Sequence, residues 1–266
     1  MPLLADFIGP QGVSRIAQDI RTAFAAFPSR RFIRIACVGI EGLPLFARAN
    51  HVAKALDDVL RQPFSDVVRI LVAASGPPRA APGYGPLENF RFLAFTRLVS
   101  LFGLHRFDDA MWGLKELTRR FTSEFDIRPF LLADETRTLS ELESWVDAED
   151  LHIRRLVSEG TRTRLPWATH LRSFQRDPAK LLRLIEGLKT DPERYVQISV
   201  ANSLADVIKD NREFGLVVAE RWNASGHPIT RMIVRHAVRL PAKQGCIRSI
   251  FLRGEAPNTG ADIASR

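Results

Sequence analysis

The residues best suited to chemistry lie in one short stretch, HIRRLVSEGTRTRLPW, running from His152 to Trp167. Glu159 falls in the last turn of a predicted helix, just before Gly160, where a carboxylate opposes the negative end of the helix dipole. Arg162 and Arg164 follow as counter-charges, and Pro166-Trp167 brings an indole close in sequence. A carboxylate stabilises developing positive charge, guanidinium forks bind phosphates, and an aromatic face accepts a cationic ring. Together they would suit an enzyme acting on a cationic base within DNA. The same residues would equally make an Arg-Glu ion pair beside a half-buried Trp, and spacing alone does not separate the two.

Two further segments carry charge in a pattern. Ser199, Asn202, Asp206 and Lys209 form a polar stripe on a helix whose other side carries Val196, Val200, Leu204, Val207 and Ile208. The stripe either lines a binding surface or faces water. Arg231, Arg235, Arg239 and Lys243 recur at intervals of four, which stacks like charges on one helix face unless Pro241 ends the helix before Lys243. Such a face costs a few tenths of a kcal/mol per pair in isolation. A nucleic-acid backbone along it would reverse the sign by releasing counterions, while a solvated surface is the plainer alternative. Glu124 and Arg128 are spaced i,i+4 beside Pro129 and read as a surface salt bridge.

Composition agrees with an anionic partner. The 266 residues carry 38 basic and 30 acidic groups, a net charge of +8, and 32 of the basic residues are Arg. The basic residues cluster: residues 151 to 176 hold six arginines against Glu159 alone, and residues 228 to 253 hold five arginines and Lys243 with no acid. The six histidines show no ligand spacing, Cys37 and Cys246 stand far apart, and there is no G-x-S-x-G, so metal and acyl-enzyme chemistry are not indicated. No apolar run is long enough for a bilayer and no charged-then-apolar leader is present, so a metal-free, cytoplasmic protein with no membrane partner is expected.

The elements that must position these residues read as helices throughout. Apolar residues recur at three and four spacing, as in Ile16, Ile20, Phe24 and Phe27, and in Leu181, Leu182, Leu184, Ile185 and Leu188. Asp177-Pro178 and Asp191-Pro192 mark helix starts, with the carboxylate as cap and proline at the first helical position. Three segments superimpose, HIRRLVSEG from His152, YVQISVANS from Tyr195 and RMIVRHAVR from Arg231, at spacings of 43 and 36 residues. An all-α, HEAT-like repeat solenoid of antiparallel helical hairpins, with a concave basic face, is the predicted fold. The expected organisation is an N-terminal helical part over 1–75, a Pro/Gly-rich loop over 76–88, repeats over 89–244 and a divergent, disordered tail over 245–266. The loop GPPRAAPGYGP (Gly76 to Pro86) lacks the Lys-Ser/Thr ending and preceding strand of a phosphate-binding loop.

Several stretches in order, GLPLFARANHVAKAL (Gly42 to Leu56), LTRRFTSEFDIRPF (Leu117 to Phe130), HIRRLVSEGTRTRLPW, SVANSLADVIKD (Ser199 to Asp210) and IVRHAVR (Ile233 to Arg239), give the chain a resemblance. From about Ala5 to Leu240 it resembles the AlkC branch of the AlkC/AlkD superfamily of DNA alkylation repair enzymes, the HEAT-like-repeat DNA glycosylases. The resemblance implies hydrolysis of the N-glycosidic bond of N-alkylated purines, chiefly 3-methyladenine, by a cofactor-free monomer acting on duplex DNA. It carries Glu124, Glu159 and Asp206 over as acids near the lesion, Trp167 as the nucleotide contact, and Arg155 and Arg162 as backbone contacts. Arg164, Lys209, Arg231, Arg235 and Arg239 are the further candidate DNA-binding residues.

The chain departs from the family at five positions. Gln197 and Ile198 stand where relatives usually carry Arg, Ser203 replaces a larger polar residue, Ala205 an Asn and Met232 a Trp. Weakened DNA affinity is expected more than lost chemistry. The rival readings are a catalytically impaired DNA-binding protein and a protein-interaction scaffold. Beyond Leu240 the match stops, and no closing helix is expected there.

Overall fold

A computed structural model describes residues 3–255. Its elements are helical, and no β-strand occurs among the described residues. The chain divides into two compact units, residues up to Leu156 and residues from Val157 on, and the division falls inside a helix rather than at the Gly76–Pro86 loop.

The first unit contains α1 (Pro10–Ala23), α2 (Ser29–Cys37), α3 (Leu45–Leu60), α4 (Phe64–Ala74), α5 (Leu93–Phe102), α6 (Phe107–Thr118), α7 (Arg128–Ala133), α8 (Glu135–Ser144) and the start of α9 (Leu151–Gly160). Short 3-10 turns at Leu4–Ile8 and Leu87–Phe92 pack on each other. In α1 the buried residues Val13, Ile16, Ala17 and Ile20 follow the helical period. The helix stops at Ala23, so Phe27, read as part of the same stripe, instead lies in the α1–α2 connection with its ring 5.4 Å from that of Phe32 of α2, tilted against it. The pairs α1 and α2, α3 and α5, and α4 and α6 pack together around a core that includes Phe32, Phe95 and Leu56.

The second unit contains the end of α9, then α10 (Arg172–Arg176), α11 (Ala179–Gly187), α12 (Arg194–Asp210), α13 (Arg212–Ala224), α14 (Pro228–Ala237), α15 (Arg239–Lys243) and α16 (Ile247–Arg253). The three superimposable segments fall on α9, α12 and α14. In α12, Val196, Val200, Leu204, Val207 and Ile208 are buried, as the pattern requires. That helix packs on both α13 and α14. Gly215 lets α12 and α13 approach closely, since a Cβ there would stand 2.7 Å from the Ile208 Cα.

Three local expectations need correction. Asp177 and Asp191 accept backbone N–H bonds from Ala179 (3.3 Å) and Glu193 (2.9 Å), but α11 and α12 begin two and three residues after them. They form turns ahead of the helices rather than their caps. The row Arg231 to Lys243 is not one helix face: α14 ends at Ala237 and Pro241 lies inside α15. Proline lacks an N–H and clashes with the carbonyl four residues back, so Pro241 breaks the ladder at Ala237, upstream of itself. Finally, Ile247–Arg253 is a helix with Ser249 and Leu252 buried, packed on α13, α14 and α15, where a divergent tail was expected. The rest of that tail, residues 256–266, lies outside the described residues.

Candidate active site

In the first unit, Glu124 sits in the turn between α6 and α7 and Arg155 projects from α9. Both are buried, with 3% and 7% of their surface exposed. The Arg155 Nη1 donates to Glu124 Oε2 at 2.5 Å, and Thr122 Oγ1 donates to the same oxygen at 2.8 Å. Arg128 is buried as well, which overturns the surface salt bridge expected for Glu124 and Arg128. A guanidinium so enclosed against a carboxylate sits in a pair that is costly to break from one side. Arg155, expected on a DNA backbone, is committed to Glu124.

Sequence reasoning missed the third member of this group. Tyr84, from the Gly76–Pro86 loop, donates its hydroxyl to Glu124 Oε1 at 3.3 Å and accepts from Arg155 Nη2 at 3.1 Å. Nearby, Arg79 Nη2 lies 3.2 Å from His152 Nδ1. Arginine only donates, so that nitrogen accepts and the imidazole is neutral. Burial, and then the Arg79 charge, push the His152 pKa down to about 4, against the opposing pull of Asp150. Asp126 is fully buried against Arg97 (2.8 Å) and Ser100 (2.7 Å). Burial raises its pKa while Arg97 acts the other way.

In the second unit, Glu159 and Asp206 share one cation. Arg162 Nη1 donates to Glu159 Oε1 at 2.7 Å, and its Nε donates to Asp206 Oδ2 at 2.9 Å. Burial works against the Arg162 charge, but the two carboxylates outweigh it and raise its pKa. Glu159 is placed at the unfavourable end of α9 and compensated there, as expected. Arg162 is thus a clamp between acids. Arg164 does not reach Glu159: its Nε donates to Asp210 at 2.6 Å, and Thr163 Oγ1 donates to the same carboxylate at 2.6 Å. Asp210, one turn beyond Asp206 on α12, was not singled out in the sequence, although the i,i+4 spacing of two acids was available as a signal.

These contacts tie the segment after α9 to α12 before it reaches Trp167. That residue is 69% exposed and has φ of 66°, a left-handed conformation rare for a bulky side chain. Strain of this kind, of order 1 kcal/mol or more, persists where surrounding contacts over-determine the backbone. The result is an indole displayed to solvent, three residues after Arg164 is pinned to Asp210. A cleft of about 340 Å³ opens along Asp206, lined also by Lys209, Arg212, Leu240 and Pro241.

The α12 polar stripe is less open than expected. Ser199 is buried with its hydroxyl 2.7 Å from that of Ser158, and Asn202 Oδ1 lies 3.2 Å from His236 Nε2. Lys209, Arg231, Arg235, Arg239 and Lys243 are exposed. Of the departures, Gln197 is buried and donates to the carbonyls of Asp191 (2.8 Å) and Pro192 (3.2 Å). Ser203 is buried and donates to the Ser158 carbonyl at 3.1 Å, whereas Ile198 is exposed. No group of three or more His, Cys, Asp or Glu suited to a metal ion, and no helix long and apolar enough to cross a membrane, occurs among the described residues.

No protein-family model matches the chain. It is 30% identical over 254 residues to the uncharacterized protein YhaZ of Bacillus subtilis, covering 94% of this chain and 68% of that protein. Among solved structures it is similar, with a TM-score of 0.87 and 34% identity, to the alkylpurine DNA glycosylase AlkC of Pseudomonas fluorescens bound to DNA containing an abasic site analog. That match covers 95% of this chain and 68% of the other.

Proposed function

The chain belongs to the AlkC branch of the AlkC/AlkD superfamily, and on that premise we propose that it excises N-alkylated purines, chiefly 3-methyladenine, from duplex DNA. The observation that carries this reading is the Glu159–Arg162–Asp206 cluster. Two nearly enclosed carboxylates are held on one guanidinium within a chain of net charge +8. Exposed arginines attract the phosphates, and largely desolvated carboxylates stabilise a cation formed beside them.

The chemistry asks for that arrangement. A purine alkylated at N3 or N7 already carries positive charge, so it leaves without being protonated. The C1′–N bond breaks, its electron pair neutralises the departing base, and the sugar becomes oxocarbenium-like. Carboxylates stabilise that cation and direct water to C1′, one of them accepting the proton the water loses, as in sugar hydrolysis generally. Glu159 and Asp206 take these roles with Glu124, and Trp167 stacks on the nucleotide. Arg231, Arg235, Arg239 and Lys209 meet phosphates. The enzyme acts as a cytoplasmic monomer and uses neither metal nor cofactor.

The test is release of free 3-methyladenine from methylated duplex DNA at low salt, with EDTA-treated protein and Glu159→Gln alongside. Wild-type release should survive EDTA and fall about 100-fold or more in the variant, whose DNA affinity stays or rises. Folded protein that binds the duplex without releasing base would make this a DNA-binding relative instead of an enzyme.

A further inference from the structure

The loop from Gly76 to Pro86 is built to deliver one side chain. Its backbone is anchored by Arg120 Nε donating to the Gly76 carbonyl at 2.7 Å and by the Arg79 N–H donating to the Arg119 carbonyl at 2.8 Å. Tyr84 stands between Gly83 (φ 99°) and Gly85 (φ 73°), two conformations that residues with a side chain rarely adopt. Its ring lies 6.2 and 6.3 Å from those of Phe90 and Phe121. Phenylalanine would satisfy that packing. The hydroxyl instead completes a closed ring of hydrogen bonds: Arg155 Nη2 to Tyr84, Tyr84 to Glu124 Oε1, and Arg155 Nη1 to Glu124 Oε2. Each carboxylate oxygen therefore has its own donor, and the carboxylate cannot turn without breaking one. The Tyr84 ring itself remains about one-third exposed, whereas Glu124 is buried.

We propose that Tyr84 is a positioning residue, whose phenol fixes Glu124 so that Oε1 faces the cationic sugar of the substrate; this rests on the glycosylase reading above. Orientation matters because a carboxylate stabilises a transient cation only when its dipole partners are already in place and need no reorganisation. The distant origin of Tyr84, 40 residues before Glu124, makes it a contribution of the tertiary fold rather than of the acidic motif.

The experiment compares affinity of the full chain for two duplexes, one with a cationic pyrrolidine abasic analogue and one with its neutral tetrahydrofuran counterpart. Wild type should prefer the cation by about tenfold or more, the factor that 1.4 kcal/mol represents. Tyr84→Phe keeps the ring packing and should lose most of that preference, with neutral-duplex affinity within about twofold and an unchanged melting temperature. In a Glu124→Gln background Tyr84→Phe should change nothing further, because both act through one group. On methylated DNA the same variant should lower kcat and leave KM unchanged. Full cation preference in Tyr84→Phe, or equal weakening on both duplexes, overturns the assignment while leaving the glycosylase reading intact. A wild-type protein that binds neither duplex, or binds both equally, overturns the two together.

Discussion

Arg162 and Asp206 meet across 44 residues of sequence, Nε to Oδ2 at 2.9 Å, while the same guanidinium holds Glu159 from three residues away. All three side chains are nearly enclosed, at 8 to 13% exposure. The consequence is that Arg162 is structural before it can be anything else. Removing it takes from both carboxylates the donor they share in a site with little water.

Arg162→Ala should therefore destabilise the protein by about 3 kcal/mol, the usual cost of stranding a buried charge. Arg162→Lys should recover part of this, since one ammonium cannot reproduce the fork that serves both acids. Urea denaturation at neutral pH measures both. Stability equal to wild type in the alanine variant would mean that the acids are solvated and the cluster is no site.

The exposed arginines should behave in the opposite way. Replacing Arg231, Arg235 and Arg239 together by Gln removes three exposed charges, two of them spaced by four on α14, and melting should be unchanged or slightly raised. If all three meet phosphates, the slope of log affinity against log salt on undamaged duplex should shrink by about three, roughly 0.9 per contact. An unchanged slope would remove this surface from the DNA interface.

The helices were legible because their signal is local. Val196, Val200 and Leu204 repeat at the helical period, and that period is set by which residues can share one face. What those faces touch is not local. Ser199 reads as an exposed polar residue until Ser158 is found 2.7 Å away, and nothing within ten residues of Glu124 announces Tyr84. The same limit explains Arg164, whose nearest acid in sequence is Glu159 but whose partner is Asp210. Acids, arginines and Trp167 were identifiable by type; their pairing depends on how helices pack, which residue spacing does not encode. Pro241 failed differently, since its steric effect falls on the carbonyl four residues earlier and the break appears at Ala237.

His152 gives the first unit an acid sensitivity. Burial and the Arg79 charge lower its pKa from 6.5 to about 4, with Arg155 adding to the effect and Asp150 opposing it. The unfolded chain therefore binds a proton that the folded chain refuses between those values, and stability must fall as pH drops from about 6.5 toward 4. Above 6.5 both states are neutral and the dependence vanishes. Chemical denaturation across this window should show the loss in wild type and a smaller one in His152→Gln, which keeps an acceptor for Arg79 without titrating. Identical pH profiles would show that folding does not change how His152 binds its proton.

Gln197 and Ile198 were both expected to stand in place of a family Arg, but their surroundings differ. Gln197 is buried and its amide donates to the carbonyls of Asp191 and Pro192 in the turn that starts α12. An arginine there would force a charge into that turn, so Gln197→Arg should cost about 1 to 3 kcal/mol without improving binding. Ile198 is 37% exposed. Ile198→Arg adds a charge that water and phosphate can reach, and should leave melting within a degree or two while steepening the salt dependence of duplex binding by about one contact. Equal gains from the two substitutions would mean that the start of α12 rearranges to present residue 197 to DNA.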